Sequence, residues 1–257
     1  MTPVQSDLAL LTDAAQSAGA IALKYWKGDP KTWSKGAAGP VTEADLASND
    51  HLHDILRTAR PDYGWLSEES DHDPARLTSD HCFIIDPIDG TRAFISGQSA
   101  WAISIAVAHH GKITAGAVFL PAQRKLFAAA LGQGATLNDT PIHASIAANP
   151  DTATILAAKP VMHQTNWAAT PPSDRHYRPS LAYRACLVAQ GRFDAMITLH
   201  PTWEWDIAAA TLIVTEAGGC TTTRTGMPLL FNTATAQTDG CLATAPALHT
   251  PLLSRLA

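Results

Sequence analysis

The chain has 257 residues, 46% of them hydrophobic and 16% charged, a balance that builds a folded core and excludes an intrinsically disordered protein. Lys and Arg total 18 against 23 Asp and Glu, a formal net charge of −5, so nucleic acid polymers and anionic membrane surfaces have little electrostatic support as partners. No run reaches the roughly 18 to 20 apolar residues that crossing a bilayer requires.

Residues 4–26 read as a helix, with Leu8, Leu11, Ala15, Ala18, Ala22 and Tyr25 at helical spacing and Gly28-Asp29-Pro30 as its stop. Residues 31–40 read as a polar, glycine-containing loop. Thr42 is the expected N-cap of a second helix, with Asp45 completing an acidic variant of the capping box. Leu46, Leu52, Ile55 and Leu56 form the apolar side of that helix, and Pro61 follows its end. Residues 82–85 are a short apolar strand. Residues 101–108 and 113–120 alternate as two strands joined at His110-Gly111, and 125–130 add a third. Residues 141–150 form a soft boundary. Beyond it the expected order is strand 154–158, helix 180–190, strand 193–199, helix 205–217, strand 240–245 and a short C-terminal helix. The expectation is one compact domain over 1–257. Its N-terminal half, 1–145, has helices on an antiparallel sheet, and its C-terminal half, 146–257, is α/β.

Cys82, Cys186, Cys220 and Cys241 are scattered, with no CxxC pair, and read as reduced buried thiols. The N-terminal stretch MTPVQSDLALLTDAAQ has no basic flank before an apolar core and does not read as a secretory leader. A cytoplasmic protein is expected. His51, His53, His72, His81, His109 and His110 invite a zinc reading, but HLH and HH spacing suits a single tetrahedral site poorly.

The chemistry concentrates in carboxylates. The segment Phe83-Ile84-Ile85-Asp86-Pro87-Ile88-Asp89-Gly90-Thr91 ends an apolar strand on two acids three residues apart. A plain turn accounts for Asp, Pro and Gly there. The other account is a cation site, since clustered carboxylates repel each other until a hard divalent ion such as Mg²⁺ joins them. Taken alone, Glu68 and Glu69 read first as a solvated surface, and Asp206 and Asp45 as charges that suit helix N-termini. Gly90-Thr91 could open a short helix whose amides receive a phosphate. Taken together, Glu68, Asp86, Asp89, Asp206, Thr91 and Gly90 form the set that two-metal phosphoryl chemistry needs: acids to hold cations about 3.5–4 Å apart, a hydroxyl near the water and a phosphate seat.

These residues resemble those of the inositol monophosphatase family. Trp65-Leu66-Ser67-Glu68-Glu69-Ser70 is similar to its GEES segment, and Asp86 to Phe94 to its DPIDGTxxF signature. Trp205-Asp206-Ile207-Ala208-Ala209 with Glu216-Ala217-Gly218-Gly219 is similar to WDxAA…EAGG, and Pro40 to Asp45 to PVTxAD, with Lys35 upstream. The resemblance implies a layered αβαβα sandwich of the inositol monophosphatase and sugar phosphatase type, mixed α+β and α/β in class, and commonly dimeric. It implies Mg²⁺ as cofactor, in two or three ions, and sensitivity to lithium. Glu68, Asp86 and the carbonyl of Ile88 would hold the first ion. Asp86, Asp89 and Asp206 would hold the second, and Glu68 would reach a looser third through water. Glu69 and Lys35 would lie in the outer shell. Thr91, oriented by Asp45, would deprotonate the attacking water. Asp89, Gly90, Thr91, Ser180 and Asp206 would meet the substrate and its phosphate.

The chain departs from the inositol-specific pattern at two places. Leu199 stands seven residues before Asp206, where those enzymes carry a glutamate for the inositol hydroxyls, and leucine accepts no hydrogen bond. Arg178-Pro179-Ser180-Leu181-Ala182 replaces a loop that usually opens with glycine. Segments 90–95 and 203–206 look closer to the branch that hydrolyses 3′-phosphoadenosine 5′-phosphate, and Arg175, Arg178 or Arg184 could meet its second phosphate. The expected partner is therefore a small phosphorylated metabolite. Inositol-1-phosphate, histidinol phosphate and a sugar bisphosphate are the alternatives, and an inactive metal-binding regulatory homologue is the alternative from another class.

Overall fold

The computed structural model describes residues 3–36 and 39–257. Helix α1 spans Pro3–Tyr25 and buries Leu11, Ala14, Ala15, Ala18 and Ala22. This stripe of small side chains recurs at helical spacing and brings the backbone close to the sheet beneath. Two three-residue strands follow: β1 (Thr32–Ser34) pairs antiparallel with β2 (Pro40–Thr42). The expected loop over 31–40 is thereby corrected at both ends. Thr32, Trp33, Val41 and Thr42 favour extended backbone, but three residues are too few for alternation to register. Residues 37–38 of that stretch lie outside the described residues.

Helix α2 (Glu43–Ala59) starts at the expected capping box, in which the Thr42 N–H donates to Asp45 at 2.9 Å and the Thr42 hydroxyl accepts from Ala44 N–H. Strands β3 (Gly64–Ser67), β4 (His81–Asp89), β5 (Ala102–His109), β6 (Lys112–Leu120), β7 (Lys125–Ala130), β8 (Ala135–Leu137) and β9 (Thr140–Pro141) form a seven-stranded sheet in that order. It is antiparallel throughout except for the parallel β3–β4 pair. Helix α3 (Thr91–Ile95) follows β4 directly. The second sheet contains β10 (Ile155–Ala157), β11 (Arg175–His176), β12 (Ala195–Trp203), β13 (Cys220–Thr222) and β14 (Gln237–Thr244), in spatial order β11-β10-β12-β14-β13. It is mixed: β10 runs parallel to β11 and β12, whereas β14 is antiparallel to β12 and β13. Helices α4 (Leu181–Ala189), α5 (Glu204–Glu216) and α6 (His249–Leu253) complete the chain.

Alternation on the central strands dictates the layering. Phe83, Ile85, Ile103, Ile105 and Val107 face α1 and α2. Their neighbours Cys82, Ile84, Ala102, Ala106 and Ala108 face α4 and α5, in a core that continues across to Met196, Cys241 and Ala243 of the second sheet. The opposite face of that sheet, with Ile155, Ala157, Ile197 and Leu242, packs under Leu248 and Leu252. Both sheets are thus covered on both sides, which is why their central strands are apolar at nearly every position. The order of layers is α, β, α, β, α, as the resemblance implies. Helix α5 lies close against β6 at Gly116, where an added Cβ would stand 2.9 Å from the Ala209 carbonyl.

Candidate active site

Strand β4 carries the site on a local defect. Its pairing with β5 runs Asp86↔Ser104 and then resumes at Asp89↔Ala102, so three steps on β4 oppose two on β5. In a regular strand, residues three apart face opposite sides. The bulge removes that constraint, and Pro87, which has no N–H to give the ladder, sits inside it. The Ile88 N–H turns back to donate to Asp86 at 2.9 Å. From across the core, the first turn of α5 delivers Asp206. One carboxylate oxygen from each of Asp86, Asp89 and Asp206 lies within 4.8 Å of the other two.

Burial drives the protonation of this trio. Asp86 is pushed well above the ordinary carboxylate range by burial first, then by repulsion from Glu68, Asp89 and Asp206, and Asp206 likewise by burial first, then by Asp89 and Glu68, with Arg184 opposing. Asp89 is raised by the same burial, but less, because the Ser180 hydroxyl and the Ala182 N–H donate to it at 2.6 and 2.7 Å. Three oxygen donors that cannot all ionise unaided are the donor set a hard divalent cation fits.

Glu68 lies on the same cavity wall, outside the tight trio. Its carboxylate accepts from Lys35 Nζ at 3.0 Å, and Glu69 accepts from the same nitrogen at 2.7 Å. Burial raises both acids while Lys35 pulls them back. Burial alone would lower Lys35, but its bonds to Glu69 and Glu68 outweigh this and hold it protonated. The solvated-surface reading of Glu68-Glu69 does not survive this geometry.

Beside the trio, Gly90 leads into α3 with φ 99°, left-handed backbone that suits glycine. The Thr91 hydroxyl has two acceptors, Asp45 Oδ1 at 3.3 Å and the Ile88 carbonyl at 3.2 Å. Asp45 is 1% exposed, and burial pushes it up to about 6 against the opposing bonds from Thr42. One oxygen of Asp45 closes the start of α2 and the other reaches Thr91.

Lys35, Glu68, Asp86, Ile88, Asp89, Gly90, Thr91 and Asp206 line one cavity of about 410 Å³, whose wall also contains Arg92, Tyr177, Trp203, Trp205 and His72, residues to which the sequence alone gave no part in the phosphatase site. For the two indoles, the segment Trp203-Glu204-Trp205 carried the signal. Alternate positions send both indoles to the cavity, while Glu204, fully buried, turns away to accept from Asn232 N–H, Thr233 N–H and the Thr233 hydroxyl.

Other expected contacts are redirected. Ser180 is fully buried, and its hydroxyl donates to Asp89 and accepts from Tyr183 N–H as the cap of α4. It stands behind the trio, so the expected direct contact with phosphate gives way to support of Asp89. Arg184 is buried and donates to the carbonyls of Arg178 and Pro179. Arg178 donates to the Tyr177 carbonyl and Arg175 to the Ala157 carbonyl. None of these three guanidiniums lines the cavity, which corrects their expected role at a second phosphate. Leu199 packs into the outer core and takes no part in the cavity wall. Among the described residues the histidines join no cluster of metal-ligating side chains, and the four cysteines are free.

A layered sandwich in which a strand of the first sheet and a helix between the sheets bring together a carboxylate trio, with a hydroxyl–carboxylate pair beside it, defines a class: phosphoric monoester hydrolases that work with a bound cation. Residues 4–256 match the model of the inositol monophosphatase family, and the chain belongs to that family. It is 33% identical over 235 residues to a histidinol-phosphatase of Chlorobaculum parvum, covering 86% of this chain and 85% of the relative. It is 33% identical over 206 residues to an inositol-1-monophosphatase of Rhizobium meliloti, covering 75% of each. The crystal structure of the extragenic suppressor protein suhB from Bartonella henselae superposes with a TM-score of 0.84 at 28% identity, over 96% of this chain and 97% of that one.

Proposed function

We propose that the protein is a Mg²⁺-dependent phosphomonoesterase that hydrolyses a small phosphorylated metabolite by direct attack of water. The observation that carries this is the crowded Asp86–Asp89–Asp206 trio in the wall of a cavity that Thr91 also lines, with the Thr91 hydroxyl bonded to buried Asp45. Asp86, Asp89 and Asp206 would hold one ion, and Glu68, Asp86 and the Ile88 carbonyl another, with Glu68 able to share a third. A divalent cation bound there supplies charge that acidifies water and neutralises the phosphate oxygens.

The protein's own groups do the rest. With Asp45 ionised, the Thr91 hydroxyl can pass its proton to that carboxylate as its lone pair takes one from water, so that the proton ends on Asp45 and hydroxide is left to attack phosphorus. A carboxylate raised to about 6 is matched to this task near neutral pH. Gly90 and Thr91 would seat the phosphate through their amides. Lys35 keeps Glu68 and Glu69 in place.

Two substrate readings are supported by different observations. 3′-Phosphoadenosine 5′-phosphate is favoured by Arg92, an exposed guanidinium on the cavity wall available to a second phosphate. Histidinol phosphate is favoured by the similarity to the Chlorobaculum parvum protein. Leu199, packed away from the cavity, leaves inositol-1-phosphate without the carboxylate its hydroxyls require. Phosphate release from these three esters and a sugar bisphosphate, with Mg²⁺ and after chelation, tests the proposal. Hydrolysis unaffected by chelation would overturn the cation dependence, and no release from any ester would favour the inactive regulatory homologue. The four free cysteines suit a reducing compartment such as the cytoplasm. The homodimer and lithium inhibition belong to the same proposal, and sedimentation and a lithium titration check them.

A further inference from the structure

We infer that Trp203 sets specificity, its indole serving as a stacking platform for a flat aromatic ring in the alcohol half of the ester; this rests on the phosphatase reading above. Trp203 is the last residue of β12 and the N-cap of α5, three residues before Asp206. Its backbone is fixed on both sides by pairing with Gln237 and by the Glu204 N–H donating to Ala236. One face of the indole is covered by Trp205, stacked at 4.7 Å between centroids with 9° between planes. Trp205 is only 5% exposed and is braced in turn by the edge of His72 at 5.6 Å. Trp203 itself is 37% exposed and lines the cavity that holds Asp86, Asp89 and Asp206.

Tyr177 repeats the arrangement. It is 49% exposed and lines the same cavity, and its ring has the buried Arg184 guanidinium 4.4 Å from its centroid. Two exposed rings, each backed on one face by a buried planar group, therefore stand in one wall. The main core includes Trp205 but closes without Trp203, so packing does not require the outer indole. A saturated polyol needs hydroxyl partners; this lining contains no Asn, Gln or Ser, and with its acids and Thr91 assigned to cation and water, Lys35, His72, Arg92 and Tyr177 are what remains for it. A flat ring needs only a rigid π-face, which a buttressed indole offers. A nucleobase and an imidazole both meet the requirement, so the test carries one ester of each kind.

The experiment measures phosphate release by the full-length protein with Mg²⁺ from 3′-phosphoadenosine 5′-phosphate, histidinol phosphate, inositol-1-phosphate and glycerol 2-phosphate. At least one flat-ring ester should show the highest kcat/KM. Trp203→Ala should lower that value about tenfold relative to its effect on glycerol 2-phosphate, mainly through KM, and Trp203→Phe should recover most of it. Quenching of tryptophan emission by the preferred flat-ring ester in metal-free protein should shrink in Trp203→Phe. A Trp203→Ala effect equal on all four esters, or no ring preference in the wild type, would overturn the inference and leave the phosphatase reading intact. No phosphate release from any of the four would sink both.

Discussion

The Ser180 hydroxyl donates to the Asp89 carboxylate at 2.6 Å, and so the end of a strand in the first sheet is tied to the first turn of α4. The same hydroxyl accepts from Tyr183 N–H at 2.9 Å. Ser180→Ala therefore removes a helix cap and a donor to a buried acid together. A loss of about 1–2 kcal/mol in urea unfolding is expected, with a higher Mg²⁺ concentration needed for half-maximal activity. Unaltered Mg²⁺ dependence would detach Ser180 from the cation site.

Asp86→Asn should separate function from stability. Its oxygen can still accept the Ile88 N–H, while one of the mutually repelling charges is gone. Metal-dependent hydrolysis should fall below detection, and the metal-free protein should melt about 2–4 °C higher for each ~1 kcal/mol of repulsion relieved. Calorimetry with and without Mg²⁺ reads both effects, and a lower melting temperature would contradict the repulsion argument. Asp89→Asn is a poorer probe, because it also disturbs the two donors from α4.

Thr91→Ala should reduce kcat by about 10²–10⁴-fold with little change in KM, since the hydroxyl acts on the water's proton. Thr91→Ser, which keeps that oxygen, should retain most of the rate. Steady-state kinetics on any turned-over ester decides it, and an unchanged kcat in Thr91→Ala removes the residue from the mechanism.

Asp45, Asp86, Asp89 and Asp206 all have carboxyls raised in the fold, so the folded protein holds more protons than the unfolded one. The contribution of these four acids to metal-free stability should accordingly be most favourable in acid and fall as pH rises from about 4, the unfolded value, through the raised folded values, while His72, His81, His249 and Asp194, all lowered, act in the opposite direction. Mg²⁺ binds the ionised form, so its stabilising effect should be larger at pH 8 than at pH 5. Turnover should decline as pH drops through the Asp45 range, near 6 or somewhat lower once a cation is close. Melting curves and a pH–rate profile measure these; a Mg²⁺ effect that shrinks with pH would refute the linkage.

Helices α4 and α5 pack against both sheets in one continuous core. We propose that the expected two halves, 1–145 and 146–257, unfold as a single unit. Circular dichroism and tryptophan fluorescence should give coincident urea transitions, and two separated transitions would show independent halves.

The parts of this arrangement legible in the sequence were those encoded locally. The Thr42–Asp45 box depends on residues three apart, and the arrival of Asp86 at the end of an apolar run follows from neighbouring side chains. Long periodic elements such as α1 and the β5–β6 pair emerged for the same reason. Strands of two to four residues, such as β3, β11 and β13, are too short to display alternation and exist because a longer neighbour templates them. The commitment of Arg184 to the Arg178 and Pro179 carbonyls is a tertiary fact, and an arginine near a site reads the same in sequence whether free or spent. Trp203 and Trp205 were visible as residues, but their stacking against each other was not.

The irregularity in β4 has a wider consequence. Because one surplus residue between Asp86 and Asp89 puts both acids within reach of Asp206, a regular ladder there would hydrogen-bond better and work worse. Laboratory evolution for heat tolerance alone, run without a divalent salt, should therefore accumulate changes at this corner that disarm the protein, whereas the same selection with the salt present should preserve it.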